Sequence, residues 1–319
     1  MRIKFITPAL ASARNGNSIT AIRCARILQQ LGHRVVMEQT YDGKGCDLMI
    51  ALHALRSHES IRLFKEMHPD LPLVVALTGT DLYRDIRINP DAQRSLELAT
   101  RLIVLQPMGI VELPKHLRAK TRVIYQSAER VRRRSTPAKD GCFNVCVISH
   151  LRPEKDPLRT AMAARELPDS SRLRVLHIGR ALTKEMSKKL RAEVKRNPRF
   201  QWLGELPHWK TRRILAGSHL LAVTSRMEGS SNVLCEAIAS SVPVVASKIP
   251  GLVGTLGKKY PGYFPVGETR ELARLLQRIE SNPKFYRRLK AHCARLSPLV
   301  DPKREITAWK KLLNELAPG

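Results

Sequence analysis

Residues 219–247, HLLAVTSRMEGSSNVLCEAIASSVPVVAS, decide how the chain is read. HLLAVTS and VPVVAS are short valine-rich runs of the kind that form buried strands, and NVLCEAIASS between them reads as a helix. A strand, a helix and a second strand in succession point to parallel pairing. The helix start is favoured by Ser231 or Asn232 as N-cap. Small residues at that start leave backbone N–H groups and the positive end of the helix dipole open to a phosphate. Glu228 stands just before this terminus, and Glu236 stands eight positions later (236 − 228), about two turns behind it. One carboxylate can take hydroxyls on one side of a diphosphate and the other can take hydroxyls on the opposite side. A sugar joined through a diphosphate to a ribose has that distribution of groups.

The same alternation extends in both directions. FNVCVIS, LRVLHIG and FQWLG are further strand candidates in the second half. The first half offers IKFITP, HRVVMEQ, CDLMIALH, LPLVVALTG, TRLIVLQ and TRVIYQS. SITAIRCARILQQLG places Ile19, Ile22, Ala25, Ile27 and Leu28 on a roughly helical face, with Gly32 as a C-terminal stop. Between Glu129 and Gly141 the periodicity gives way to charge, proline and glycine, the composition of a linker. The expected architecture is α/β, with two Rossmann-like domains facing across a cleft: residues 1–134 and 141–302. A last helix, 303–316, is expected to pack Trp309 back on the first domain. In open α/β sheets ligands bind beyond the carboxyl ends of the strands.

Composition narrows the function. At 319 residues with 43% hydrophobic content, the chain can bury two cores. The six cysteines show no C-x-x-C pairing, so neither a zinc site nor a disulfide framework is supported. No uncharged apolar run approaches the ~18 residues of a membrane span, and Lys4 and Pro8 break the apolar start too early for a secretion signal. A cytoplasmic protein is expected. The net charge of +28 attracts anions, but the basic residues are dispersed and aromatics are only 5%, leaving few rings for base stacking. Small anionic substrates fit better than nucleic acid, and a basic nucleic-acid-binding protein is the third-ranked reading. The oligomeric state is not fixed by the sequence.

Three other stretches carry chemistry. In SHLRPEKDP, Asp156 is expected to cap a helix with Pro157 at its first position, which puts Lys155 at the helix mouth. In SARNGNSIT, Gly16 allows close backbone approach and Asn17 offers an amide. ALTGTDLYRD ends a strand and brings Thr78, Thr80 and Asp81 toward the ligand side. His53, closing DLMIALH, either faces the ligand or is a buried imidazole with its hydrogen bonds met. G-x-G-x-x-G, the P-loop pattern and Asp-x-Asp are all absent. Without a carboxylate-held metal, side-chain cations and helix dipoles must stabilise a departing diphosphate, so metal independence and no cofactor are expected.

The E-x7-E spacing of EGSSNVLCE, followed by AIASSVPVVAS, resembles the donor-site motif of the GT-B nucleotide-sugar glycosyltransferases. The resemblance implies that Glu228 meets the donor sugar hydroxyls, that backbone around Ser230, Ser231, Asn232 and Val233 meets the diphosphate, and that Glu236 meets the ribose. That group usually carries Gly-Arg-Leu followed by Lys. Lys155 matches the lysine, His150 stands at the arginine position, and Arg152 can supply the missing guanidinium. Where related enzymes often have a histidine, this chain has Thr78. For His150, a packing or capping role remains open beside phosphate contact.

A narrower resemblance runs through ALHALRSHESI, VVALTGTDLYRD, KTRVIYQSAE, SHLRPEKDP, RFQWLGELPHW, SRMEGSSNV and KKYPGYFPVG, which look like the selenosugar synthases of selenoneine biosynthesis. It implies transfer from a UDP-sugar, UDP-N-acetylglucosamine or a relative, to selenophosphate, with a carbon–selenium bond formed. Such a nucleophile is soft and already anionic, so it needs little general-base help. Arg14, Asn17, Thr78, Thr80 and Arg152 are the expected anion site. A conventional glycosyltransferase acting on a hydroxyl would share every donor-side residue.

Overall fold

The computed structural model describes residues 1–8, 16–132 and 141–316. Arg14 and residues 133–140 of the expected linker lie outside the described residues. The chain divides into two units, the first formed by Met1–Ser127, Glu228–Asn232 and Pro302–Gly319, the second by Ala128–Met227 and Val233–Asp301.

The first unit contains β1 (Arg2–Ile6), β2 (Arg34–Glu38), β3 (Leu48–Leu52), β4 (Leu73–Ala76), β5 (Arg101–Val104) and β6 (Thr121–Val123). They form one parallel sheet in the order β2-β1-β3-β4-β5-β6. Every residue of β3 is buried, as expected of a central parallel strand covered on both faces. Side chains alternate across a strand, so Met49 and Ala51 join one core with Phe64 and Leu96, while Ile50 and Leu52 join another with Leu28 and Trp309. The second of these cores draws on the helices Gly16–Gln30 and Pro302–Asn314. Trp309 is 2% exposed and packs with Ile3 and Phe5 in the same core. The helix Gly16–Gln30 buries Ala21, Cys24, Ala25, Ile27 and Leu28, leaving Ile19 and Ile22 half-buried. It stops before Gly32, whose φ of 86° is left-handed backbone that suits glycine. Lys4, buried on β1, is neutralised by Glu38 at 2.5 Å and Asp42 at 2.9 Å.

The second unit contains β7 (Phe143–Ile148), β8 (Leu173–Ile178), β9 (Phe200–Trp202), β10 (Leu220–Val223), β11 (Val244–Ser247) and β12 (Tyr263–Phe264). Their order is β12-β11-β10-β7-β8-β9, again all parallel. β12 is absent from the strands expected from sequence, because two paired residues between prolines and glycines carry no readable periodicity. The chain runs outward from β7 in one direction and from β10 in the other. The topological switch point therefore lies between these two neighbours, and ligand-binding crevices of such sheets open at the carboxyl ends there. Among the described residues no helix is long and apolar enough to cross a membrane. All six cysteines are free, and five are buried.

Candidate active site

The loops that follow β7 and β10 hold both motifs singled out in the second half of the chain. After β7 come His150, Arg152 and Lys155, all half-buried. Asp156 does not cap a following helix as expected. Lys155 ends a 3-10 turn, Pro153–Lys155, and Asp156 terminates that turn in left-handed backbone at φ 42°. Its carboxylate accepts from Arg159 Nε at 2.9 Å, and the α-helix begins only at Arg159. A guanidinium three residues on competes with the backbone for the carboxylate, and here it wins. The Thr224 hydroxyl, just after β10, donates to the carbonyls of Lys155 at 3.0 Å and Asp156 at 2.9 Å. The Arg226 N–H donates to the Glu154 carbonyl at 2.8 Å. The loop carrying Lys155 is thus tied to the strand end that leads into Glu228. His150 Nδ1 accepts the Arg180 N–H at 3.3 Å.

Glu236 and Val233 lie on the helix Asn232–Ala239. Glu236 is 7% exposed, and its Oε1 is 2.7 Å from Nε2 of His208 at the start of the helix His208–Gly217. His208 escaped the sequence reading because no spacing rule links position 208 to 236. The string RFQWLGELPHW contained it, but nothing in that string marks it as a partner of a carboxylate.

Glu228–Asn232 belongs with the first unit. Gly229 lies so close to Gly79 that a Cβ on Gly79 would be 2.7 Å from the Gly229 nitrogen, and a Cβ on Gly229 would be 2.8 Å from the Gly79 nitrogen. Glu228, 8% exposed, is therefore set beside Thr78, and its Cα would be 3.1 Å from the same Gly79 Cβ. Ser231 is buried as well, and the Ser230 hydroxyl is buried with no hydrogen-bond partner. The Asn232 side chain accepts from Arg23 Nη1 at 2.8 Å and donates to the Gly16 carbonyl and Thr20 hydroxyl, each at 3.3 Å. Arg23 in turn meets Glu305, whose carboxylate accepts the Ser127 N–H at 2.7 Å. Gly16 thus stands against Asn232 at the end of the loop after β10, and Asn17 follows it, half-buried, on the same helix.

Thr78, Gly79, Thr80 and Asp81 follow β4, where Asp81–Asp85 forms a π-helical turn. His53 follows β3 with a left-handed φ of 81° and is fully buried. Its Nδ1 is 3.2 Å from Asp81 Oδ1, and its Nε2 is 3.3 Å from the Thr80 hydroxyl and 3.6 Å from Asp85 Oδ2. Burial pushes the Asp81 carboxyl up to about 7 and the His53 imidazole down to about 4. The imidazole meets the two carboxylates with different nitrogens on opposite ring edges.

The profile of the family described as Glycosyl transferases group 1 matches residues 129–295, more than half of the chain. The chain belongs to this family. Relatives of this glycosyltransferase include Glycosyltransferase 1 domain-containing protein 1 of Xenopus tropicalis, 23% identical over 92% of both chains. The fold of this chain is shared with the crystal structure of Anabaena HepE in complex with UDP, at a TM-score of 0.77 and 19% identity over 99% of this chain and 100% of that one. The sucrose-phosphate synthase of Thermosynechococcus elongatus gives a TM-score of 0.78 at 17% identity, over 99% of each chain. Two parallel sheets with these neighbours are the GT-B architecture of a glycosyltransferase. The family match spans β7 to the helix Pro283–Arg295 and so covers His150, Lys155, Glu228 and Glu236. Thr78, Thr80 and His53 lie outside it.

Proposed function

We propose that this glycosyltransferase is a selenosugar synthase, moving a sugar from a UDP-sugar such as UDP-N-acetylglucosamine to selenophosphate. The observation that carries the reading is the packing of Gly229 on Gly79, which sets Glu228 of the proposed donor loop beside Thr78. Hydroxyl and amide donors suit an anionic nucleophile that arrives without a proton to remove. The resemblance of seven strings along the chain to selenosugar synthases supports the acceptor, and the UDP held by HepE supports the donor.

In this scheme Glu228 binds the sugar hydroxyls, the Ser230–Ser231–Asn232–Val233 stretch takes the diphosphate, and Glu236, oriented by His208, takes the ribose. The C1–O bond breaks with its electron pair leaving on UDP, and Lys155, Arg152 and His150 stabilise that charge without a metal ion or cofactor. Selenium bonds to C1, and water takes the phosphoryl group from selenium, releasing phosphate. The enzyme acts in the cytoplasm on small anionic substrates.

The test is an anaerobic assay with UDP-N-acetylglucosamine and chelator, with and without fresh selenophosphate, following UDP release and product mass. Selenophosphate-dependent UDP with a selenium-containing sugar is expected. UDP binding without that product would assign a conventional hydroxyl acceptor, and absence of UDP binding would refute the donor assignment as well.

A further inference from the structure

Three unusual features coincide at the carboxyl ends of β3 and β4: a non-glycine residue in left-handed backbone, a π-helical turn, and an imidazole buried between carboxylates. Backbone strain and π-turns both concentrate at functional positions. The hydrogen bonds around His53 fix which nitrogen carries the proton. Nδ1 accepts the Arg56 N–H at 3.3 Å, so the proton of the neutral ring sits on Nε2. Asp81 Oδ2 accepts the Ala54 N–H at 2.8 Å and Oδ1 the Leu55 N–H at 3.4 Å, the Thr78 backbone adds a further hydrogen bond, and a proton on Oδ1, 3.2 Å from Nδ1, shares that nitrogen's one lone pair with the Arg56 N–H. Nε2–H then donates to the Thr80 hydroxyl, the nearer of its two neighbours.

We propose that His53 is a positioning residue that makes the Thr80 hydroxyl a donor to the anionic acceptor: by filling the oxygen's acceptor side, Nε2–H turns the Thr80 proton outward. This rests on the selenophosphate reading only for the identity of the anion. With its carboxyl raised to about 7, Asp81 keeps its proton below that pH and holds the tautomer. Above it, a charged Asp81 draws the ring proton to Nδ1 at the expense of the Arg56 N–H bond, Nε2 becomes an acceptor, and Thr80 donates inward. Arg56, Arg84 and Asp85 are the other charged groups acting on this ring, and Glu228 stands by the Thr78–Gly79 backbone.

Two substitutions oppose a packing role to a positioning role. Asn tolerates left-handed backbone better than Gln, so a purely structural His53 makes His53→Asn the milder change. The Gln amide nitrogen reaches the Nε2 position and the Asn amide does not, so positioning makes His53→Gln the milder one. In steady-state assays of the full chain, His53→Asn and Thr80→Val are each expected to raise the KM for selenophosphate about tenfold, with the UDP-sugar KM within twofold. His53→Gln stays within about threefold. The double variant His53→Asn, Thr80→Val should be no worse than either single one, because both remove the same donor. Asp81→Asn, which donates to Nδ1 at every pH, should flatten the rise in KM above about pH 7. Additive effects, or a milder Asn variant, would overturn the proposal. Binding of inorganic phosphate to the UDP-loaded enzyme separates it from the acceptor reading. If wild type fails to consume selenophosphate yet binds phosphate through Thr80 and His53, the acceptor reading falls and this inference stands. If phosphate binding ignores both residues, the inference falls.

Discussion

His177 is fully buried on β8, its Nε2 is 3.0 Å from the Ser149 carbonyl, and its Nδ1 has no hydrogen-bond partner. Burial pushes its imidazole down to about 4, so the folded unit resists the proton that the unfolded chain accepts near 6.5. A depressed basic group contributes stability that is present above pH 6.5 and is lost as pH falls through 4, worth roughly 3 kcal/mol. In the first unit the opposite shifts of His53 and Asp81 largely cancel over this range. The depressed imidazole gains stability as pH rises from about 4 to 6.5, and the raised carboxyl loses it from about 4 to 7. Urea unfolding of wild type and His177→Gln at pH 7 and pH 4.5 should show a larger acid loss in wild type, over the loss that His33 and the paired carboxylates give both proteins. An equal loss in both proteins would remove His177 as the cause. The spacing of Glu228 and Glu236 showed in the sequence, whereas Lys155 was read from a helix cap at Asp156 that the structure does not form. The sequence could not pair His53 with Asp81, or His208 with Glu236, because those contacts depend on how strands and helices are brought together rather than on spacing along the chain.

At the scale of elements, the first eleven strands were legible because buried parallel strands leave valine- and leucine-rich runs, while the π-turn and β12 left no such trace. The Gly79–Gly229 contact also had no sequence signal, since a glycine needed for space looks the same as one needed for a turn. Gly229→Ala would drive a Cβ to 2.8 Å from the Gly79 nitrogen and 2.9 Å from the Thr78 carbonyl carbon, both backbone atoms that cannot swing aside. The loop must shift, and Glu228 and Ser230 move with it. Overpacking of this kind costs about 1–3 kcal/mol. The transfer rate, kcat/KM for the UDP-sugar, is expected to fall at least tenfold. Gly217→Ala, where a Cβ meets nothing within 4 Å, should leave both stability and rate near wild type. Equal rates for Gly229→Ala and wild type would show that the close approach has no part in catalysis.

For the molecule as a whole, the charge of +28 and the isoelectric point near 10.5 say nothing about fold and a good deal about encounter. Both proposed substrates are anions, and long-range attraction raises their association rate until salt screens it over about 8–10 Å. The kcat/KM for the UDP-sugar should therefore fall several-fold between about 20 and 200 mM salt, while kcat, set after binding, holds. A nucleic-acid binder of the same charge would show steep salt dependence through counterion release, so charge alone does not separate it from an enzyme. Glu228→Gln does separate them. It changes the net charge by one in twenty-eight, which leaves salt-dependent RNA binding nearly where it was. It also removes the carboxylate assigned to the donor sugar, so transfer should drop by two orders of magnitude or more. If RNA bound and its affinity fell together with transfer, a nucleic-acid site including Glu228 would replace the reading of a merely basic surface.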